Sequence, residues 1–449
     1  MEKTFFIRTY GCQMNFSEAE RLHQLLKISG WKEAERPERA TALIAIGCSI
    51  REKAENRVIS FLKSNENLKK NGTILCLAGC TANLHREKIL KQLPCLDVVC
   101  GPNHIAKIPE ILNNYTAGKI VVETGENDLP FIECVPSEKN VSMMVPITKG
   151  CNNFCSYCVV PFARGKLQSR QPKSIIEEIK TGVVNGVRAV TLLGQNVNEY
   201  GQDFLQNYDF SDLLCDILKI NNLLRIEFVS SHPEDTGMKL LKVMSENQKI
   251  ARHLHIPLQN GSNKILKAMN RKYTVEKFLQ VVETARNMIP DISITSDIMV
   301  GFPGETEEDF NQTYNLVKEL RLNELFIFKY SPRPMTKAYN FPDTVEKEEK
   351  QRRHRILLET QKKISGEILR AFTGKECDVL VERRSIKDPS LLIGKNIQGI
   401  PACFQSHKNL TGKIVRVKIL SHAEGILYGK ANEESLSQQD LQCQEKKRK

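Results

Sequence analysis

Three short apolar runs in the first hundred residues are followed by the same dipeptide. F-F-I-R-T-Y (5–10), T-A-L-I-A-I (41–46) and T-I-L-C-L-A (73–78) lead into Gly11-Cys12, Gly47-Cys48 and Gly79-Cys80, with helical patterns between them and a fourth run, L-D-V-V-C (96–100), beyond. Short apolar runs alternating with helices are a βαβ series, and such a series builds a parallel sheet. Within the first helical stretch, Ser17-Glu-Ala-Glu20 reads as a capping box for a helix carrying Leu22, Leu25 and Leu26 toward Gly30. In an open parallel sheet, ligands bind at the loops beyond the carboxyl ends of the strands. Cysteines in three equivalent loops can meet at one point however far apart they lie in sequence. Taken singly, glycine-cysteine after a strand is turn chemistry with a small buried side chain. The threefold repeat points instead to three thiolates on an iron-sulfur cluster with one iron left open. Cys100 precedes its glycine and is assigned to the core. Cys76, Cys95, Cys134, Cys215, Cys377, Cys403 and Cys443 have no partner at ligand spacing and read as structural thiols.

A second trio is contiguous. Residues 150–158 read G-C-N-N-F-C-S-Y-C and place Cys151, Cys155 and Cys158 at spacing C-x3-C-x2-C with no fourth ligand nearby. Structural zinc closes a tetrahedron with four ligands, a pattern that does not surround this run. Three thiolates on a four-iron cluster leave one iron free for a substrate or cofactor and can deliver an electron there. The competing reading is three incidental or buried cysteines. From about residue 141 six further apolar runs appear, at 143–148, 189–194, 224–229, 253–258, 292–300 and 325–330, with helical patterns at 173–185, 261–270, 274–288 and 305–320. Six strands with crossover helices predict a partial (β/α)6 barrel whose active site lies at the carboxyl ends of its strands. The cysteine run follows the first of them. Gln195-Asn196, Ser230-Ser231, Gln259 and Asp297 end other strands and are expected at the same mouth, although each alone also suits a cap or turn.

The chain has 449 residues, and a hydrophobic fraction of 41% is ample for the cores of several domains. Lys and Arg number 65 against 53 Asp and Glu, a formal net charge of +12 that favours a polyanionic partner. No apolar run approaches the roughly 18 residues that span a bilayer, and the start lacks the features of a signal peptide. The chain reads as cytoplasmic and without a membrane partner, a compartment in which its 14 cysteines serve as metal ligands and core thiols rather than disulfides. A charged helical linker is expected over 346–371, followed by short alternating strands at 376–382, 400–405, 413–419 and 426–430. These suit a small antiparallel barrel whose lysines and arginines bind phosphates. The final K-K-R-K (446–449) reads as a disordered tail.

C-N-N-F-C-S-Y-C is similar to the signature of radical S-adenosylmethionine enzymes, and the glycine-cysteine trio ahead of it resembles the amino-terminal domain of the methylthiotransferases among them. T-Y-G-C-Q-M-N (9–15), P-F-A-R-G-K-L-Q-S-R (161–170), L-G-Q-N-V-N-E-Y-G (193–201), H-I-P-L-Q-N-G-S (255–262) and G-F-P-G-E-T (301–306) resemble that family's blocks, and the carboxyl-terminal strands resemble the TRAM RNA-binding module. The resemblance covers nearly the whole chain. It implies an α/β fold with a flavodoxin-like amino-terminal domain (1–120), a radical core (137–370), a TRAM barrel (373–437) and a basic tail (438–449). It also implies two [4Fe-4S] clusters, one on Cys151, Cys155 and Cys158 that reduces S-adenosylmethionine to a 5′-deoxyadenosyl radical, and one on Cys12, Cys48 and Cys80 that holds the sulfur to be inserted. A second S-adenosylmethionine donates the methyl group. Tyr157 is expected near the cofactor's adenine, where an ordinary core aromatic is the alternative, and Gln195 and Asn196 are further cofactor-binding candidates. A radical route suits a target hydrogen that is neither acidic nor easily displaced, such as that on carbon 2 of adenine. G-Q-N-V-N-E-Y-G is closest to the branch that methylthiolates N6-isopentenyladenosine beside the tRNA anticodon. The partners implied are the anticodon stem-loop of tRNA and a flavodoxin- or ferredoxin-type reductant, with the enzyme a monomer. Ile46-Gly47 stands where the family has Asn-Thr and T-A-N follows Cys80 in place of V-A-Q; these two touch the surroundings of the amino-terminal cluster, not its thiolates, and Q-N-G-S (259–262) replaces Q-S-G-S. The alternatives are a methylthiotransferase for threonylcarbamoyladenosine or for a ribosomal protein, and a non-enzymatic iron-sulfur RNA-binding protein.

Overall fold

Six parallel strands form the amino-terminal sheet, in the order β2 (Lys32–Glu33), β1 (Thr4–Tyr10), β3 (Ala42–Gly47), β4 (Ile74–Gly79), β5 (Val98–Cys100) and β6 (Val121–Glu123). The computed structural model describes residues 2–50, 52–125, 131–133 and 140–432; Cys134, Cys443 and the basic stretch 438–449 lie outside them. Both faces of the sheet are covered, as the continuous apolar character of β3 requires. Ile44, Ile46, Cys76 and Ala78 pack on one side and Leu43, Ala45, Leu75 and Leu77 on the other, the period of two of an extended chain. The strand order reverses between β1 and β3, which is the switch point where such sheets bind ligands. Register aligns Tyr10 with Gly47 and Gly47 with Gly79, so the three Gly-Cys loops leave the sheet at one level. Cys100 and Cys76 are fully buried in this core.

The first helix differs from expectation at its start. α1 runs Gln13–Ile28 with Cys12 as N-cap, and Asn15 rather than Glu20 closes the box, its Oδ1 accepting from the Cys12 N–H at 3.4 Å. Ser17 lies buried inside the helix and accepts from Arg21 Nε at 3.3 Å. The chain turns into helix directly at the sheet edge, so the earlier residue takes the cap.

The central region places β7 (Ser142–Pro146), β10 (Ala189–Leu193) and β11 (Arg225–Phe228) in one parallel sheet and β12 (His253–His255), β13 (Ser293–Val300) and β14 (Glu324–Lys329) in another. A parallel bridge between Ile226 and Ile250 joins them into a six-strand array, the partial barrel expected. Between β7 and β10, β8 (Thr148–Lys149) pairs antiparallel with β9 (Gln168–Ser169) and pinches the base of the cysteine loop. The segment expected as a charged linker is the helix Lys347–Arg370, and it is part of this core: Leu357 and Ile364, at helical spacing, join the barrel cluster, and buried Arg353 donates to Glu305 Oε2 at 2.8 Å.

The carboxyl-terminal strands β15 (Glu376–Arg384), β16 (Leu391–Asn396), β17 (Pro401–Gln405), β18 (Ile414–Ala423) and β19 (Ile426–Ala431) close a barrel in the order β15-β16-β17-β19-β18. β16 was absent from the sequence expectation, and β17 pairs with β19 in parallel rather than antiparallel. The β16–β17 turn docks on the radical barrel, where Arg225 Nη1 donates to Asn396 O at 2.6 Å and Lys395 meets Glu227 at 2.9 Å. No helix among the described residues is long and apolar enough to cross a membrane.

Candidate active site

The amino-terminal trio is assembled by register. Cys48 N–H donates to Tyr10 O at 3.1 Å, holding the β3 loop against the end of β1, and Cys80 opens helix α3 (Cys80–His85). Gly11 allows the approach: a Cβ there would lie 2.3 Å from Asn15 Oδ1 and 2.7 Å from Cys48 Cβ. The thiols sense one another. The hydrogen bond from Cys48 holds the pKa of the Cys12 thiol down at about 6, whereas that bond, burial and the neighbouring sulfurs push Cys48 up. Burial pushes Cys80 up to about 11.

Arg164 lies beside this trio although it belongs to another region, the helix Val160–Arg164 that follows Cys158. Its guanidinium is buried, donates to both carboxylate oxygens of Glu18 at 2.6 and 3.2 Å, and interacts with Cys80 and Cys12. Its Nε is buried without a hydrogen-bond partner among the described residues. Asn83 on α3 ties the same two segments by donating to Ala163 O at 3.0 Å. Two of the departures noted in the sequence touch each other here, since a Cβ on residue 47 would fall 2.6 Å from Thr81 Oγ1, and they amount to one change of packing behind the cysteines.

The second trio sits on the loop between β8 and β9. Gly150 has φ +67°, and a Cβ there would lie 1.9 Å from Lys166 O, so the loop's entry has room for glycine alone. Cys151 accepts from Asn153 Nδ2 at 3.5 Å, Cys158 accepts from the Val160 N–H at 3.5 Å, and Cys155 accepts from Arg271 Nη1 at 3.2 Å. Arg271 is held by Pro257 O at 3.1 Å and by the Tyr273 hydroxyl at 2.9 Å. Burial pushes the Cys151 thiol up to about 11 and raises Cys158 as well. Tyr157 packs edge-on to Phe302, with ring centroids 6.5 Å apart, against the apolar group of Ile265, Met269 and Tyr330.

Of the loop-end candidates, Asn196 is buried and donates to Asp235 Oδ2 at 2.7 Å. Gln195 is half-buried at the same strand end. Glu199, which the sequence reading passed over, interacts with Cys151, Asn153 and Asn196 and keeps a buried Oε2 without a hydrogen-bond partner among the described residues; burial raises both Glu199 and Asp235. Ser231 is buried with its hydroxyl likewise unpartnered among the described residues. Gln259 and Asp297 meet through the Gln259 N–H, which donates to Asp297 O at 2.8 Å. Arg164 and Glu199 lie in the quoted blocks 161–170 and 193–201 but were not singled out there, and Arg271 lies in none, because each acquires its meaning from contacts made only on folding.

The donor chemistry fits a cluster better than an ion. Among the described residues no group of three or more His, Cys, Asp or Glu side chains forms a site for a single metal ion. A four-iron cluster bonds each thiolate to a different iron, so it asks for three sulfurs spaced around a common point. Both trios consist of free thiols, each with an arginine to offset negative charge, Arg164 buried and Arg271 half-buried.

The chain matches the models of the Radical SAM superfamily over residues 145–317, of the Uncharacterized protein family UPF0004 over 4–101 and of the TRAM domain over 370–431. It is 40% identical over 437 residues to the tRNA-2-methylthio-N(6)-dimethylallyladenosine synthase of Carboxydothermus hydrogenoformans, covering 95% of this chain and 99% of that one. This chain belongs to that family. The synthase of Aquifex aeolicus is 37% identical over 436 residues, covering 96% and 98% of the two chains. In fold, the chain resembles the radical S-adenosylmethionine methyltransferase TsrM of Kitasatospora setae, with a TM-score of 0.56 at 12% identity over 88% of this chain and 81% of the other.

Proposed function

We propose that this family member methylthiolates carbon 2 of N6-isopentenyladenosine, the same group as N6-dimethylallyladenosine, next to the anticodon of tRNA. The observation that carries the reading is kinship with such synthases over nearly the full chain; it is supported by the segment after Cys158, whose Arg164 and Ala163 meet Glu18, Cys80 and Asn83 of the amino-terminal region. Cys151, Cys155 and Cys158 would hold one [4Fe-4S] cluster and Cys12, Cys48 and Cys80 the other. When bound, these clusters supply one-electron reduction of S-adenosylmethionine at the first site and a seat for the inserted sulfur at the second.

The chain's own groups do the rest. Arg271 orients Cys155 and offsets its charge, and Arg164 does the same for Cys12 and Cys80 from across the junction. The polar set of Asn196, Glu199 and Asp235 stands beside Cys151, where its spare oxygen can receive hydroxyl or ammonium groups of the cofactor. Tyr157 and Gln195 border the same mouth. Burial of these groups keeps water from a reactive radical. We assign the amino-terminal site to residues 1–120, the radical core to 137–370 and RNA binding to 373–437. The enzyme acts as a cytoplasmic monomer with a flavodoxin- or ferredoxin-type electron donor.

The test compares matched tRNAs with and without the isopentenyl group, reading methylthioadenosine by mass spectrometry. A pocket shaped for the apolar tail gains roughly 0.8 kcal/mol per buried methylene, so the unmodified tRNA is expected to bind through its backbone and turn over poorly. Equal yields would replace this substrate with one of the family's others.

A further inference from the structure

Between β1 and the helix α2 (Glu52–Ser64) lies an open groove of about 960 Å³, bordered by Arg8, Tyr10, Lys53, Asn56, Arg57 and Phe61. Its origin is topological. α2 turns Val58, Ile59 and Leu62 onto the sheet, while the two-residue strand β2 pairs only with Thr4 and Phe5 and leaves the carboxyl half of β1 as an uncovered flank. The groove has an aromatic floor: the Tyr10 and Phe61 rings are 5.9 Å apart, and the Arg8 guanidinium lies 5.8 Å from the Tyr10 ring. Its rim is basic. Lys53 and Arg57 are exposed one helical turn apart, and Glu52, the one carboxylate lining the groove among the described residues, accepts from Ser331 Oγ at 2.8 Å. Tyr10, at one end of the groove, lies two residues before Cys12, and Arg333 meets Glu55 of α2 at 3.1 Å.

Cations around accessible aromatic rings are what single-stranded nucleic acid requires, with backbone charge held at the rim and a base stacked on the floor; Tyr10 and Phe61 are half-buried, each leaving part of its ring open to the groove. A folded acidic protein would meet the rim cations and leave the aromatic floor unused. We propose that this groove holds unpaired nucleotides of the tRNA anticodon loop flanking the target adenosine, with Arg8, Lys53 and Arg57 on phosphates and a base on Tyr10. The inference rests on the tRNA-modifying reading and adds an RNA contact on the amino-terminal domain, remote in sequence from the TRAM barrel.

The experiment uses reconstituted full-length enzyme and, as probe, an anticodon stem-loop RNA carrying isopentenyladenosine. Arg8→Ala, Lys53→Ala and Arg57→Ala together are expected to flatten the slope of log K against log salt by about 2, at roughly 0.7 per single-strand contact, which weakens binding about 50-fold at 0.15 M salt. Tyr10→Leu is expected to weaken binding about tenfold with the slope unchanged. Release of 5′-deoxyadenosine without RNA should stay at the parent level in both, which shows that the fold is intact. Unchanged RNA affinity and slope in the triple variant overturn the proposal. So does unchanged RNA affinity with slower turnover on a flavodoxin-type donor, which assigns the groove to a protein. Binding is read independently of turnover, so a parent enzyme that makes no methylthio product would sink the functional reading and still leave the groove's RNA contact decided.

Discussion

The two cysteine trios solve one problem in opposite ways. Cys151, Cys155 and Cys158 share a single loop pinched by β8 and β9, whereas Cys12, Cys48 and Cys80 come from three strand ends that meet only because Tyr10, Gly47 and Gly79 stand in register. Each trio has an arginine against a thiol, but their sources differ. Arg271 belongs to the same barrel as the cysteine it contacts, while Arg164 reaches the amino-terminal trio from the radical core. Dependence between the sites is therefore one-sided: the local site is complete within its own region, and the dispersed site borrows its compensating charge from its neighbour.

The largest effect expected from this asymmetry comes from replacing Cys151, Cys155 and Cys158 together by alanine. Iron content should halve, and both 5′-deoxyadenosine and the methylthio product should vanish, as read by iron assay and chromatography. Iron unchanged by that substitution removes the site altogether.

The arginines sharpen the comparison. Arg164→Ala leaves Glu18 without its buried counter-charge and is expected to cost about 3–5 kcal/mol, lowering the unfolding midpoint and the iron retained by the amino-terminal site while 5′-deoxyadenosine release persists. Arg271→Ala removes a bond to Cys155, a loss of about 1.5–3 kcal/mol, and its deficit should fall on 5′-deoxyadenosine release. Identical phenotypes for the two variants would show that the sites are not independently held.

Acid should separate the regions more gently. Burial lowers His232 to about 3 and His253 to about 4, both in the radical core. From the ordinary histidine value near 6.5 down to those values, the unfolded chain binds protons that the folded core does not. Stability from the neutral rings is therefore fully present above about pH 6.5 and falls as pH drops, by up to about 2–3 kcal/mol per pH unit while both histidines contribute. Denaturant unfolding at several pH values checks this, and His232→Asn with His253→Asn should flatten the slope.

Features set by local pattern were legible in the sequence. Alternating apolar runs announce both parallel sheets, and Gly-Cys after a strand locates the amino-terminal trio because parallel register brings equivalent loops together. What depends on partners far along the chain was not legible. Arg164 and Arg271 look like surface arginines until folding sets them against Glu18 and Cys155, more than a hundred residues away in each case. Ser17 has the spacing of a cap, yet the sheet edge starts the helix at Cys12. In β16, Gly394 interrupts the apolar alternation that marks a strand, and it is required where a Cβ would lie 2.0 Å from Leu380 O.

The central claim is that the two trios divide the chemistry, and one variant tests it most directly. Enzyme carrying Cys12→Ala, Cys48→Ala and Cys80→Ala, reduced with S-adenosylmethionine and isopentenylated tRNA, is measured for 5′-deoxyadenosine and for methylthioadenosine in the same reaction. The account predicts that 5′-deoxyadenosine is still released while no methylthioadenosine forms. Methylthioadenosine at the parent level would contradict it.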